Sequence, residues 1–329
     1  MTPSAPVSMV VLAAGLSTRY GRLKQLDPLG PGGESIMDYN VFDAVRAGFS
    51  HIVYVIRPEI DEAIRRHVHE VVGDAATVDF VHQGLDDLPQ GYAAPADRSR
   101  PWGTAHATLC AAEVIDGSFG VCNADDLYGP QAMRTLHDQL VRDDGTDASL
   151  VGYTLAETLS GVGGVSRGVC VLGADGLLAT VSEMAKVRRV EASIMAVAMD
   201  GTPMELSGRE MASMNLWGFT AQVVGRFRRQ FRTFLEFWGS DVEREFYLST
   251  EINSQIQVGA SKVRVLSTAD RWLGVTHPED RERARTDLLG RVEAGQYPES
   301  LRGAFATIHA CDTDRYAAST EDDGSKGAP

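Results

Sequence analysis

Leu12-Ala13-Ala14-Gly15-Leu16-Ser17-Thr18-Arg19-Tyr20-Gly21-Arg22-Leu23-Lys24-Gln25 closes the first apolar run of the chain and opens its first loop. The run, Val7 to Ala14 with Val10 and Val11 adjacent, predicts a buried strand ended by glycine and polar residues. Leu12, Ala13, Ala14 and Gly15 are small or apolar enough for the main chain to approach a base and a triphosphate. Arg19 and Lys24 then oppose phosphate charge. The glycine spacing and the Gly-Lys-Ser/Thr ending of a P-loop are absent, so the segment is not a standard P-loop.

Moving outward, apolar periodicity predicts a helix over Asp38 to Ala47, a strand over His51 to Arg57, a helix over Glu59 to Val72 and a strand over Thr77 to His82. That order is a parallel α/β unit. A long turn-rich stretch, Gln83 to Gly103, predicts a pocket edge, and an alanine-rich helix follows from Thr104 to Ile115. The strand Phe119 to Cys122 delivers Asn123, Ala124, Asp125 and Asp126 to a strand end, where open α/β sheets bind ligands. Further helices are expected over Pro130 to Val141, Ala221 to Phe237, Glu243 to Val258 and Pro278 to Val292. Further strands are expected over Ser149 to Leu155, Gly168 to Leu172, Leu177 to Ser182, Ser213 to Phe219, Lys262 to Leu266 and Trp272 to Thr276. Gly173 to Gly176 reads as a hairpin turn.

The 329 residues carry a formal charge of −14, which disfavours a nucleic-acid partner while leaving room for a local basic pocket. Cys110, Cys122, Cys170 and Cys311 have neither metal-ligand spacing nor the density of a disulfide scaffold, and read as free thiols of a reducing compartment. No apolar stretch approaches the roughly 20 residues of a membrane span, so the expectation is a cytoplasmic protein without a membrane partner. Gly-Xaa-Ser-Xaa-Gly is absent, Cys110 and His106 lack the context of an activated thiol, and His67 with His69 makes no zinc motif. Residues 312–329 lack a periodic apolar face and are expected to form a flexible tail.

The segment from Leu12 to Gln25 resembles the nucleotide-binding signature of the sugar-nucleotide pyrophosphorylases, the NDP-sugar nucleotidyltransferases, and the resemblance runs over about 280 residues. It implies an α/β, Rossmann-like nucleotidyltransferase fold with a mostly parallel central mixed sheet flanked by helices. Residues 1–311 would form that domain, with an acceptor-binding portion around 148–276 and a C-terminal helical segment.

In that family's pattern, Leu12, Ala13, Ala14, Gly15, Arg19 and Lys24 bind the nucleotide, Gln83 reads its base, and Gly103 and Thr104 form the second contact segment. Asp125 falls at the position that holds Mg2+, and Arg19, Lys24 and Asp125 are the implied catalytic residues. Trp272 to Thr276 matches the late metal segment but lacks an acid. Glu183, Lys186 and Asn215 fall on the acceptor side, the lysine for a phosphate and the other two for hydroxyls. The implied reaction is Mg2+-dependent nucleotidyl transfer from a nucleoside triphosphate to a sugar 1-phosphate, forming a nucleotide sugar and pyrophosphate. Cytidylyl or uridylyl transfer to a non-sugar phosphate or phosphonate stays open, as does a nucleotide-sensing protein with reduced catalysis.

Overall fold

A computed structural model describes residues 6–15, 23–142, 144–275 and 279–308. Arg19, Thr276, Pro278, Cys311 and the segment 312–329 lie outside the described residues. The opening apolar run forms β1 (Ser8–Leu12), and its side chains alternate between two cores: Met9 and Val11 in one, Val10 in the other. β2 (His51–Ile56) alternates in the same way, with Ile52, Tyr54 and Ile56 opposite Val53 and Val55. The sheet therefore has a core on each face.

β1 pairs in parallel with β2 and with β4 (Phe119–Asn123), and β2 pairs in parallel with β3 (Thr77–His82). β5 (Asp126–Leu127) belongs to a separate two-stranded ribbon with β13 (Leu273–Gly274). The second half of the main sheet is made by β6 (Ala148–Thr154), β7 (Val165–Leu172), β8 (Leu178–Val190), β9 (Ser193–Ala198), β10 (Pro203–Leu206), β11 (Met211–Phe219) and β12 (Val263–Ser267). There β6 and β12 pair in parallel and the other pairings are antiparallel, including the expected β7–β8 hairpin through Gly173 to Gly176. Parallel order is thus concentrated in the half that begins with the quoted loop, and the whole is a mixed sheet flanked by helices.

One face is covered by α1 (Ile36–Ala47), α2 (Asp61–Val71), α4 (Pro130–Leu140), α7 (Asp280–Glu293) and the helical residues 301–308. The other is covered by α3 (Thr104–Ala111), α5 (Ala221–Trp238) and α6 (Leu248–Gln257). Phe227, Phe231 and Phe246 are buried there, each contributing about 1.5–3 kcal/mol of transfer free energy. Among the described residues, no helix is long and apolar enough to cross a membrane.

The helix expected from Glu243 begins at Leu248 instead. The reason is local: the main chain at Phe246 bonds elsewhere, its N–H to Trp102 O (2.7 Å) and its carbonyl to Ala105 N–H (2.9 Å). The strand expected over Trp272 to Thr276 is ordered as a strand only at Leu273 and Gly274 among the described residues. The β9–β10 hairpin was not anticipated.

The sheet forks at Asn215. β6 runs along one edge of β11, while the other edge is taken by β7 over Met211–Ser213 and by β4 over Trp217–Phe219. Between these two partners the backbone turns through a left-handed residue, Asn215, at φ +65°. Asparagine tolerates that conformation better than most residues with a Cβ.

Candidate active site

The loop after β1 is held from three sides. Ala13 N–H donates to Val55 O (2.8 Å), and Ala124 N–H donates to Leu12 O (3.2 Å). The buried amide of Gln25 donates to Ala13 O (3.0 Å) and Gly15 O (3.2 Å), pinning the loop from within. One turn of 3-10 helix, Lys24–Leu26, then turns the Lys24 ammonium onto Asp125 Oδ2, an ion pair at the carboxyl ends of β1 and β4.

Beneath that pair runs a chain of amides. Trp217 Nε1 donates to Asn215 Oδ1 (3.1 Å), Asn215 Nδ2 to Asn123 Oδ1 (2.7 Å), and Asn123 Nδ2 to Asp126 Oδ2 (2.8 Å). Asn40 secures the same turn from α1, donating to Asn123 O (3.3 Å) and Asp126 O (2.5 Å). Tyr128 OH bridges to the fork, donating to Met214 O (2.8 Å) and accepting from Asn123 N–H (3.1 Å). Burial pushes the Asp126 carboxyl up to about 7, and the charge of Asp125 adds to it; Asn123, Arg167 and Lys24 pull the other way.

These groups open on a cavity of about 350 Å3. Lys24, Asp125, Asp126, Arg167, Glu183 and Trp272 line it. Thr104, in the first turn of α3, also lines it. Glu183 Oε1 accepts from Ser249 Oγ (2.9 Å), and Ser166, Glu183, Tyr247 and Ser249 are shared with an adjoining cavity of about 700 Å3.

Among the described residues, no group of three or more His, Cys, Asp or Glu side chains could hold a metal ion. Mg2+ asks for less, since it commonly takes one or two carboxylates and fills its shell with phosphate oxygens and water. Asp125 and Asp126 offer hard oxygens beside the cavity, and the repulsion that raises the proton affinity of Asp126 is the kind a cation relieves. The donor set fits the ion.

No protein-family model matches the chain, and no curated protein matches its sequence. Solved structures do resemble it. The inositol-1-phosphate CTP transferase from T. maritima superposes with a TM-score of 0.56 at 13% identity, covering 86% of this chain and 96% of that one. HddC from Yersinia pseudotuberculosis, alone and complexed with GMP-PN, gives a TM-score of 0.53 at 14% identity, covering 85% of this chain and 99% of that one. The chain has the Rossmann-like nucleotidyltransferase fold.

Within this nucleotidyltransferase fold, the residues singled out from sequence are sorted by geometry. Lys24, Thr104, Asp125, Glu183 and Asn215 all line the one cavity. Leu12, Ala13, Ala14 and Gly15 close β1 and begin its loop without lining that cavity, and Gly15 is exposed. Asn215 has both ends of its amide engaged within the protein. The Gln83 amide is buried, donating to Gly103 O (2.9 Å) with His106 Nδ1 at 3.1 Å. Gly103 is a glycine for a packing reason, because at φ +104° a Cβ there would stand 2.6 Å from Phe246 O. Lys186 is exposed on β8 in a left-handed conformation (φ +53°) and lines neither cavity. Arg167 is the site's unanticipated member, whereas Asn123, Trp272 and Gln25 lay in segments that the sequence had singled out without a role of their own.

Proposed function

We propose that the protein transfers a nucleotidyl group from a nucleoside triphosphate to a phosphorylated polyol, with a sugar 1-phosphate as the first candidate. The observation that carries this reading is the Lys24–Asp125 pair at the strand ends, lining one cavity with Arg167 and Glu183. The fold places such a cavity at the carboxyl ends of parallel strands, where phosphates are received.

The triphosphate would lie along Leu12 to Gly15 and the first turn of α3, with Gln83 and Gly103 behind its base. The acceptor would lie against the segment 148–276. An acceptor phosphate oxygen attacks the α-phosphorus, forming one P–O bond as the bond to the departing pyrophosphate breaks. Catalysis of this kind rests on alignment and charge stabilisation, without a covalent enzyme intermediate. Lys24 offsets negative charge on the phosphates, while Glu183 and the hydroxyl of Ser249 orient acceptor hydroxyls. Asp125, with Asp126 beside it, would hold Mg2+, which when bound supplies neutralising charge across the phosphates.

The names of the structural neighbours carry different nucleotides, CTP in one and GMP-PN in the other. The assay therefore offers each of four nucleoside triphosphates with a panel of sugar and cyclitol phosphates in Mg2+, reading product mass and pyrophosphate together. Turnover of one pair is the expected result. Triphosphate binding without product across the panel would turn the reading toward a nucleotide sensor.

A further inference from the structure

Arg167 lies in β7 with 6% of its surface exposed, yet it lines the cavity. Its Nε donates to Thr158 O and Oγ1 (both 3.1 Å), Nη1 to Ser166 O (2.7 Å), and Nη2 to Thr158 O. A guanidinium has five N–H groups, so with bonds from each nitrogen one N–H on each terminal nitrogen has no acceptor among the described residues. Asp126, Glu183 and Asp280 act on this cation through space, without a direct hydrogen bond to it. Burial nevertheless prevails and draws its pKa down to about 10. A cation in this state is stabilised by an anion that reaches it.

The neighbouring tryptophan is in a matching condition. The Arg167 guanidinium lies 4.8 Å from the centroid of the Trp272 ring, which lines the same cavity. The ring is pressed onto Gly274, where a Cβ would fall 2.2 Å from it, so the glycine lets the indole lie there. Trp272 Nε1 is buried without an acceptor among the described residues. A buried donor of this sort is uncommon and costly unless something accepts from it. Arg167 and Trp272, which line the cavity together with Lys24 and Asp125, thus both carry N–H groups without an acceptor among the described residues.

We propose that Arg167, backed by Trp272, is the receptor for the phosphate of the acceptor. The inference rests on the transfer reaction proposed above and deepens its acceptor side. Among the described residues, Lys24 is the other cation lining the cavity, and it is engaged with Asp125. Lys186, exposed on β8, lies off the cavity wall. Arginine also suits the task, since its planar fork meets two phosphate oxygens at once.

The test compares Arg167→Gln, Arg167→Lys and Trp272→Phe with the unaltered protein. Initial rates are measured with each substrate varied in turn and with inorganic phosphate as competitor. Calorimetric titration with inorganic phosphate and thermal melting accompany them. Arg167→Gln is expected to raise the acceptor KM about 10- to 100-fold, as loss of charge-assisted hydrogen bonds requires. Triphosphate affinity, measured without acceptor, should stay within roughly twofold, and phosphate competition should vanish. Arg167→Lys should recover part of the loss, because it restores the charge without the fork. Trp272→Phe should raise the acceptor KM a few-fold.

A folded Arg167→Gln protein with unchanged acceptor KM and phosphate inhibition would overturn the proposal. An equal loss of triphosphate binding would do the same, as would a loss confined to acceptors bearing a second anionic group. If Arg167→Gln does not fold, Arg167→Lys decides by the same readings. If the unaltered protein turns over no acceptor, the transfer reading fails by itself. Phosphate titration of that protein against Arg167→Lys then decides the inference, with weaker binding in the variant supporting it and equal binding refuting it.

Discussion

Lys24 and Asp125 are 101 residues apart in the chain and meet as an ion pair where β1 and β4 end. The pair is partly open to solvent, with the lysine side chain 16% and the aspartate side chain 37% exposed, so its share in stability is small. Its place beside the cavity points instead to handling charge.

Asp125→Asn is therefore expected to keep the fold and to lower Mg2+-dependent product formation by roughly 10²- to 10³-fold, the scale of losing one preorganised charge-stabilising group. Lys24→Ala should weaken triphosphate binding and turnover together. Because the two side chains touch, the double variant should lose less than the sum of the single losses. Rates across a Mg2+ titration, with circular dichroism of each variant, check this. If Asp126→Asn is inactive while Asp125→Asn is not, the metal assignment moves by one residue.

Gly103→Ala is expected to cost about 2–4 kcal/mol in a urea unfolding titration, from a left-handed backbone and an overpacked contact together. The contact is with main chain, since a Cβ would stand 2.6 Å from Phe246 O and 2.7 Å from Phe246 N. Neither atom can swing aside. Full stability with weakened triphosphate binding would instead give the glycine to the nucleotide, as the sequence resemblance implies.

The parallel half of the fold was legible because β1, β2, β3 and β4 carry dense apolar alternation or runs, and helices such as α2 set Ile64 and Val68 on one buried face. The β9–β10 hairpin escaped because it is half-wet: Met199 is 80% and Met204 38% exposed, so the pattern that marks a strand is diluted. Lys24 and Asp125 were readable as charged residues next to strand ends. Arg167 was not, since one arginine in a strand says nothing until Thr158, Trp272 and Asp126 are folded around it. Gln83 was singled out for the base, and its amide bonds to Gly103 O and lies beside His106, packing that sequence alone does not reveal.

Asp43 should make stability pH-dependent in a direction unusual for a carboxylate. Tyr297 OH donates to its Oδ2 (2.7 Å), while Oδ1 is buried without a hydrogen-bond partner among the described residues. Burial pushes the carboxyl up to about 7, against the pull of Tyr297. A raised pKa in the folded state means that the native protein holds the proton more tightly than the unfolded chain. The stabilising contribution is full below the unfolded value near 3.8 and is lost as pH rises through about 7. Asp43→Asn keeps an acceptor for Tyr297 and cannot ionise. Its stability relative to the unaltered protein should rise by up to about 1.4 kcal/mol per pH unit between those values. Urea unfolding of both from pH 5 to pH 8 gives the difference directly, and parallel profiles would mean that Asp43 ionises normally.

Asn215 is expected to act through Asp126, by holding the turn that carries it. Its amide is the middle of the relay from Trp217 to Asn123, whose own amide holds Asp126 Oδ2 at 2.8 Å. Glycine at this position accepts φ +65° while removing both side-chain bonds, so Asn215→Gly isolates the relay from the backbone. We expect kcat to fall about tenfold or more, with the acceptor KM changed less than roughly threefold, because misplacing a reacting geometry costs rate more than binding. Asn215→Ala breaks the same bonds and adds about 1 kcal/mol of backbone strain, so it should melt lower than Asn215→Gly at similar activity. Initial-rate titrations and melting curves of the two variants separate these effects. A rise in the acceptor KM with kcat preserved would return Asn215 to direct contact with an acceptor hydroxyl.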